Sequence, residues 1–363
     1  MSHYEQRLEA DLTALRQRIA QIGAWVLEAQ GNAVHALLRG DRQLANQTIL
    51  GDLGINREIR AADQDCHTFV ARHLPSAGHL RFVSSVLRLN IALERIGDYA
   101  VTVCRSAVQL SADLPPVLAR DLELMASQSQ NALQQALDAW NAGNAELARG
   151  AIGMVRQVSS ASDKVFDDLT RDELHGEMPQ RDLLNLLLVF HRLGRVASQA
   201  KNICEETIFA ATGETKAPKV YRVLFVDPGD QGLTQIAAAY ARKAFPQSGT
   251  YESAGWQPAA DIDPRAQRFL ERHGLDQGHF EPRPLSPLHE DLAHYHVIVS
   301  LGGGLLPHIP EIPYHTTVLE WDVAVDFESL DQERLEHSLE AAFKDLVGRI
   351  GELMETLRGA GAC

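Results

Sequence analysis

Glu94 and Asp98 are the residues whose type and spacing could do chemistry. They lie four apart in a stretch of helical apolar periodicity, so both carboxylates leave one face of the helix, side by side. Like charges so placed cost about 0.2 to 0.5 kcal/mol on an exposed helix, and more when desolvated. A bound metal ion would remove that penalty. The alternative is that Glu94 pairs with an arginine, Arg95 or one from another helix, and that Asp98 is solvated. Carboxylate ligation admits manganese or magnesium. Other metal-type residues are not spaced for ligation. The histidines form no HExxH or similar pattern, and His289, His294 and His296 flank a predicted strand as surface or edge residues. Cys66, Cys104, Cys204 and Cys363 form no CxxC pair and no Cys/His zinc spacing, so they read as free thiols in a reducing compartment. Gly302-Gly303-Gly304 predicts a turn, without the GxGxxG context of a nucleotide site.

The elements that must position these residues fall into two kinds. From residue 5 to about 213 the pattern is helical almost throughout. Leu15, Ile19, Ile22 and Val26 line one helix face. Gly40-Asp41 breaks the run, and Pro75-Ser76-Ala77-Gly78 breaks it again. A third helix, from about Leu80 to Leu110, carries Val86, Leu89, Leu93, Ile96, Ala100 and Val103. Three such helices must bury their stripes against one another. After Leu114-Pro115-Pro116 the plan recurs: a helix to about Asn141, a second to about His175, and a third from Met178-Pro179 to Thr212-Gly213. Leu44-Ala45 matches Leu147-Ala148, and Val103-Cys104 matches Ile203-Cys204, which indicates an internal duplication. Beyond Pro218 short apolar runs alternate with helical segments: strands at 222–226, 250–253, 296–300 and 317–321, helices at 234–245, 264–273 and 330–357. That alternation predicts a parallel, doubly wound α/β sheet.

Composition limits the function. Of 363 residues 45% are hydrophobic and 23% charged, enough apolar material for more than one core. The net charge of −14 argues against nucleic acid as a main partner. Up to residue 217 there are 22 basic and 26 acidic residues, and after it 12 and 22, so the acidity is concentrated in the C-terminal part. No apolar run approaches the roughly 20 residues of a membrane span, and the start MSHYEQRLEADL is not a signal peptide, so a cytoplasmic protein is expected.

The segment Leu93-Glu94-Arg95-Ile96-Gly97-Asp98-Tyr99-Ala100 resembles the signature helix of PhoU proteins. Asn202-Ile203-Cys204-Glu205-Glu206, with Thr212-Gly213-Glu214, is similar to that family's closing motif. The resemblance spans residues 5 to 215. It implies a transition metal ion (iron, manganese or zinc) at Glu94 and Asp98, and a homodimer. It also implies regulation of phosphate homeostasis, between the phosphate ABC transporter and a phosphate-sensing histidine kinase, holding uptake and the starvation response down. The second repeat departs from the motif: its acidic positions fall on Gly194 and Ser198, or on His191 and Arg195. Asp52 and Asp163 stand where the family tends to carry an acidic residue. Each could reach across the bundle to complete a site, but solvation is favoured, because Asp is common on such faces.

The segment Val223-Leu224-Phe225-Val226-Asp227-Pro228-Gly229-Asp230-Gln231-Gly232-Leu233-Thr234 resembles the entry strand and phosphate loop of low-molecular-weight tyrosine phosphatases and arsenate reductases. That chemistry needs a cysteine thiolate and, six residues on, an arginine clamping the phosphoryl oxygens. Asp227 and Leu233 stand there instead, and Asp230 stands at the family's asparagine. Two carboxylates in a loop whose N–H groups and helix N-terminus would attract an anion should repel phosphate. Asp326 matches the general acid, followed by Phe327 where the family has proline, and reads as a loop or helix-start residue. Either Asp227 mimics the lost anion by docking on the loop's own N–H groups, or the loop has drifted. Drift is favoured, since persistence of a fold alone establishes no function.

The expected architecture is multidomain: all-α tandem three-helix bundles, residues 1–112 and 113–217, followed by an α/β doubly wound parallel-sheet domain at 218–363 without catalysis. The competing functions are a low-molecular-weight phosphatase or arsenate reductase, and a metal-binding sensor.

Overall fold

The computed structural model describes residues 3–155, 178–216, 218–275, 280–327 and 329–359. Asp163, Cys363 and the helix end expected near His175 lie outside them. The chain divides into two compact units, Met1–Lys216 and Ala217–Cys363.

The first unit is helical: α1 (His3–Arg39), α2 (Arg42–His73), α3 (Ala77–Gln109), α4 (Pro116–Ala142), α5 (145–155) and α6 (Gln180–Thr212). The predicted breaks stand where expected, for local reasons. Asp41 caps α2 by accepting the Leu44 N–H, and Pro116 opens α4 at a position where a missing N–H costs nothing. Gly143 and Gly213 end α4 and α6 in the left-handed conformation. Leu74 does the same after α2 with φ 45°, unusual for a side chain with a Cβ, and Pro75 follows it.

Both apolar stripes read from the sequence are buried, and they belong to one contiguous core to which α1 through α6 all contribute. The repeats are therefore packed together, not merely linked. Phe82 of α3 stacks on Trp140 of α4, ring centroids 5.5 Å apart. Arg88 of α3 pairs with Glu206 of α6 at 2.9 Å and lies over Phe209. Asp182, in the first turn of α6, accepts from the Ser111 N–H, the Ser111 hydroxyl and the Ala112 N–H at 2.8 to 3.1 Å. Burial pushes its carboxyl up, but these donors more than offset that and hold it below its ordinary value.

The second unit contains β1 (Tyr221–Asp227), α7 (Leu233–Ala244), β2 (Gly249–Gly255), α8 (Pro264–Arg272), α9 (His289–Leu292), β3 (Val297–Leu301), β4 (Thr317–Trp321) and α10 (Gln332–Arg358). All four strands are parallel, in the order β2-β1-β3-β4, with Val223 beside Tyr251 and Val297. Val223, Phe225 and Val299 face α7 and α10, while Leu224, Val226 and Ile298 face α9 and the turn near Leu305. This is the doubly wound α/β arrangement the alternation predicts. The chain runs outward from β1 to β2 and then crosses to β3 on the other side. The carboxyl ends of β1 and β3 thus form the switch point at which such sheets take ligands, and the loop after Asp227 sits there.

Candidate functional site

The acidic pair of α3 has a third carboxylate behind it. Asp52 occupies a position in the buried stripe of α2, between Thr48 and Ile55, and is only 8% exposed. Its Oδ2 accepts from the Asn56 amide at 2.7 Å, whereas its buried Oδ1 has no hydrogen-bond partner. A Cβ at Gly97 would fall 2.7 Å from that oxygen. Glycine between Glu94 and Asp98 is thus what lets Asp52 reach the α3 backbone. Burial, then Asp98, then Glu94, pushes the Asp52 carboxyl above its ordinary value, with Asn56 and Arg105 pulling the other way. The solvated Asp52 favoured from sequence is corrected: its place in an apolar stripe buries it across the bundle from the pair. Glu94 and Asp98 are both exposed. Among the described residues no group of three or more His, Cys, Asp or Glu is disposed as a ready metal cage. The donors fit a hard cation in charge and in the unmet Asp52 oxygen, but they are not pre-assembled around one point.

In the second repeat His191 and Arg195 stand one helical turn apart and exposed, and burial followed by Arg192 and Arg195 holds His191 below its ordinary value. Arg192 lies over the Tyr99 ring, 5.3 Å from its centroid. This face carries cations where α3 carries anions. Cys66, Cys104 and Cys204 are free and buried, their thiols pushed up to about 12, 11 and 12, so they are inert at neutral pH. His296, expected as a surface or edge residue, is instead half-buried between the inner strands β1 and β3, where its ring accepts the Arg222 N–H at 3.0 Å.

The second feature is the loop between β1 and α7. The Asp230 N–H donates to Asp227 Oδ1 at 2.5 Å, and the Thr234 hydroxyl lies 3.4 Å from Oδ2. Asp230 is fully buried in a left-handed conformation, φ 50°. Its own carboxylate accepts from Thr234 at 2.8 Å and from the Arg283 N–H at 2.9 Å. Burial pushes Asp227 up to about 6, with the Asp230 charge adding to that, while N–H donors from Asp230 and Gly229 and the Thr234 hydroxyl oppose it. Burial likewise raises Asp230. The loop is pressed against Gly255, where a Cβ would fall 2.7 Å from the Pro228 oxygen. Asp227 therefore docks on the loop's own N–H groups, the reading that the sequence alone did not favour. Asp326 caps a turn by accepting the Ser329 N–H at 2.9 Å. Phe327, named from sequence without a role, rests on Gly232, where a Cβ would fall 2.2 Å from its ring, and belongs to the apolar cluster of α7, α8 and α10. An Asp-Phe where a functional loop has Asp-Pro was the signal for it.

The PhoU domain description matches residues 19–107 and 122–207. The chain is 31% identical, over 58% of its own length and 88% of the other, to the phosphate-specific transport system accessory protein PhoU homolog of Pseudomonas aeruginosa. It is 24% identical, over the same shares, to the phosphate-specific transport system accessory protein PhoU of Escherichia coli. The crystal structure of PhoU from Pseudomonas aeruginosa aligns at 30% identity and a TM-score of 0.55, covering 57% of this chain and 99% of that one. The duplicated helical plan, the Glu94-to-Asp98 segment and these matches coincide on the same residues, and the chain belongs to the PhoU family.

Proposed function

We propose that this chain regulates phosphate uptake through protein contacts and without catalysis. The observation that carries the reading is the similarity of the helical unit to a phosphate-specific transport system accessory protein over 88% of that protein's length. Its partners are then the phosphate ABC transporter and a phosphate-sensing histidine kinase, and it lowers uptake and the starvation response when phosphate is plentiful. No helix among the described residues is long and apolar enough to cross a membrane, so the proposed association with the membrane is through these partners, on its cytoplasmic side, by a homodimer.

The α/β unit supports the non-enzymatic reading. Phosphoryl transfer of the kind its loop resembles needs a thiolate nucleophile and an arginine clamp, and loss of such groups costs orders of magnitude in rate. Asp227 has its carboxylate engaged at 2.5 Å, and Leu233 is a buried apolar residue of the core. At α3 we propose a cation held by Glu94 and Asp98 with the unmet Asp52 oxygen. It would supply charge compensation to three carboxylates and so tie α2 to α3; its identity is a transition metal ion such as iron, manganese or zinc.

The test is affinity capture of the tagged chain from membranes of phosphate-rich cells. Recovery of the phosphate transporter subunits and the kinase is expected. Capture of neither, together with phosphatase or arsenate reductase activity in the purified chain, would replace this reading with the enzymatic one.

A further inference from the structure

The sheet face that carries Leu224 is covered by little helix. β1 and β2 each run seven residues, about 23 Å, whereas α9 has four, about 6 Å. Beside α9 a cleft of about 350 Å³ is left over β1 and β2. Side chains alternate across a strand, so Arg222 shares this face with Leu224, and Glu252 shares it with Ala254. Leu224, Ala254, Leu285 and Leu292 give the cleft an apolar floor. Its polar groups converge on Glu252. The Tyr295 hydroxyl donates to the Glu252 carboxylate at 2.8 Å, and Arg283 Nη2 donates to it at 3.3 Å. The same Nη2 also donates to the Ser253 carbonyl oxygen at 3.1 Å, so Nε and Nη1 of Arg283 have no hydrogen-bond partner among the described residues. Arg222 is exposed, and its side chain has no hydrogen bond or ion pair among the described residues. Burial, then Glu252, pushes the Tyr295 hydroxyl up to about 12, and Arg283 and Arg222 oppose that, so both guanidiniums lie close enough to act on it.

We propose that this cleft binds a small organic monocarboxylic acid, its carboxylate taken between Arg222 and Arg283 beside the Tyr295 hydroxyl and its apolar body seated on the floor formed by Leu224, Ala254, Leu285 and Leu292. The planar guanidinium fork matches a carboxylate. A mostly apolar pocket with a few convergent polar groups is the usual way in which a small ligand is held and oriented. Charge sets the class. Arg283 is balanced by Glu252, so Arg222 brings the one unpaired guanidinium of the lining, while the other carboxylate, Asp291, is held by the Ser286 hydroxyl. A second negative charge on the ligand would meet Glu252 or Asp291, which disfavours dianions such as inorganic phosphate. The side chains come from β1, β2 and residues 283–295, and none belongs to the loop after Asp227. The inference stands on this cleft and holds whether or not the chain regulates phosphate uptake.

The experiment titrates benzoate, and benzamide as its uncharged counterpart, into the full-length chain and follows the amides by NMR. Benzoate should give saturable shifts at the amides of Glu252, Ala254, Leu285 and Leu292, with a Kd of about 1 mM. Benzamide brings no charge to Arg222 and should bind about tenfold more weakly. Arg222→Gln alters an exposed side chain, and should weaken benzoate about tenfold while leaving benzamide unchanged. Absence of saturable shifts at those amides would overturn the proposal. So would equal affinity for benzoate and benzamide, full benzoate affinity in Arg222→Gln, or displacement of benzoate by an equal concentration of inorganic phosphate.

Discussion

Burial and hydrogen bonding act in opposite directions on Asp227, and burial is the larger effect, leaving its carboxyl raised from 3.8 to about 6. Its one charged neighbour in the turn is Asp230, which is also raised and faces Arg283. A carboxyl whose folded value lies above its unfolded one binds its proton more tightly in the folded state. Its contribution to stability is complete below about 4 and is lost as the pH rises through about 6. The α/β unit should therefore be more stable at pH 5 than at pH 7, by about 1 kcal/mol, the part of the shift that is expressed between those two values. Most of that slope should vanish in Asp227→Asn; a slope equal to that of the natural chain would place the titration elsewhere. At α3 the acidic pair was legible in the sequence because its four-residue spacing fixes it to one face. Asp52 was not, because an aspartate on a helix is usually solvated. The missed signal was its register: Ala45, Thr48, Asp52, Ile55 and Ile59 form one buried stripe. If the three carboxylates share a cation, Glu94→Gln/Asp98→Asn and Asp52→Asn should each lower the metal that copurifies, and added metal should raise the melting temperature of the natural chain only. Equal metal content in all three proteins would remove the site.

Helix and strand boundaries were largely readable, because the breakers are strong ones. Gly143 and Gly213 end helices in left-handed geometry, and Asp331 caps α10 by accepting the Arg334 N–H at 2.9 Å. What periodicity could not give was the pairing between elements. Nothing in the sequence announces that Asp182 opens α6 by taking three donors from the turn after α3, since an acidic residue in a first helical turn is ordinary. That contact fixes where the second repeat's last helix starts against the first repeat. Removing it leaves two backbone N–H groups and a hydroxyl in a partly buried turn, each worth about 1 to 3 kcal/mol if left unpaired. Asp182→Ala should accordingly lower the stability of the helical unit by about 1 to 3 kcal/mol in urea unfolding. A change below about 0.5 kcal/mol, within the scatter of ordinary surface substitutions, would mean that solvent satisfies those groups.

For the whole molecule, the sequence shows the duplication and the change of character near Pro218, but not that the two repeats share a core. Each repeat carries apolar stripes of its own, so two separate bundles would satisfy periodicity equally well. The shared core arises because α3 and α6 each bury more than one face: Tyr99 and Ala100 of α3 and Val196 and Ala197 of α6, consecutive residues about 100° apart around the helix, are all inside it. A fragment of residues 1–216 should thus fold alone and melt in a single cooperative transition. Two transitions, or an insoluble fragment, would contradict the common core. The α/β unit has its own apolar clusters on both faces of the sheet. The function proposed for this chain is regulation of phosphate uptake without catalysis. Its most direct test is the rate of labelled phosphate uptake, in phosphate-rich medium, by cells that lack this chain. Uptake should rise on deletion and fall back when the natural chain is restored, in the absence of any phosphatase or arsenate reductase activity; uptake that does not change on deletion would contradict it.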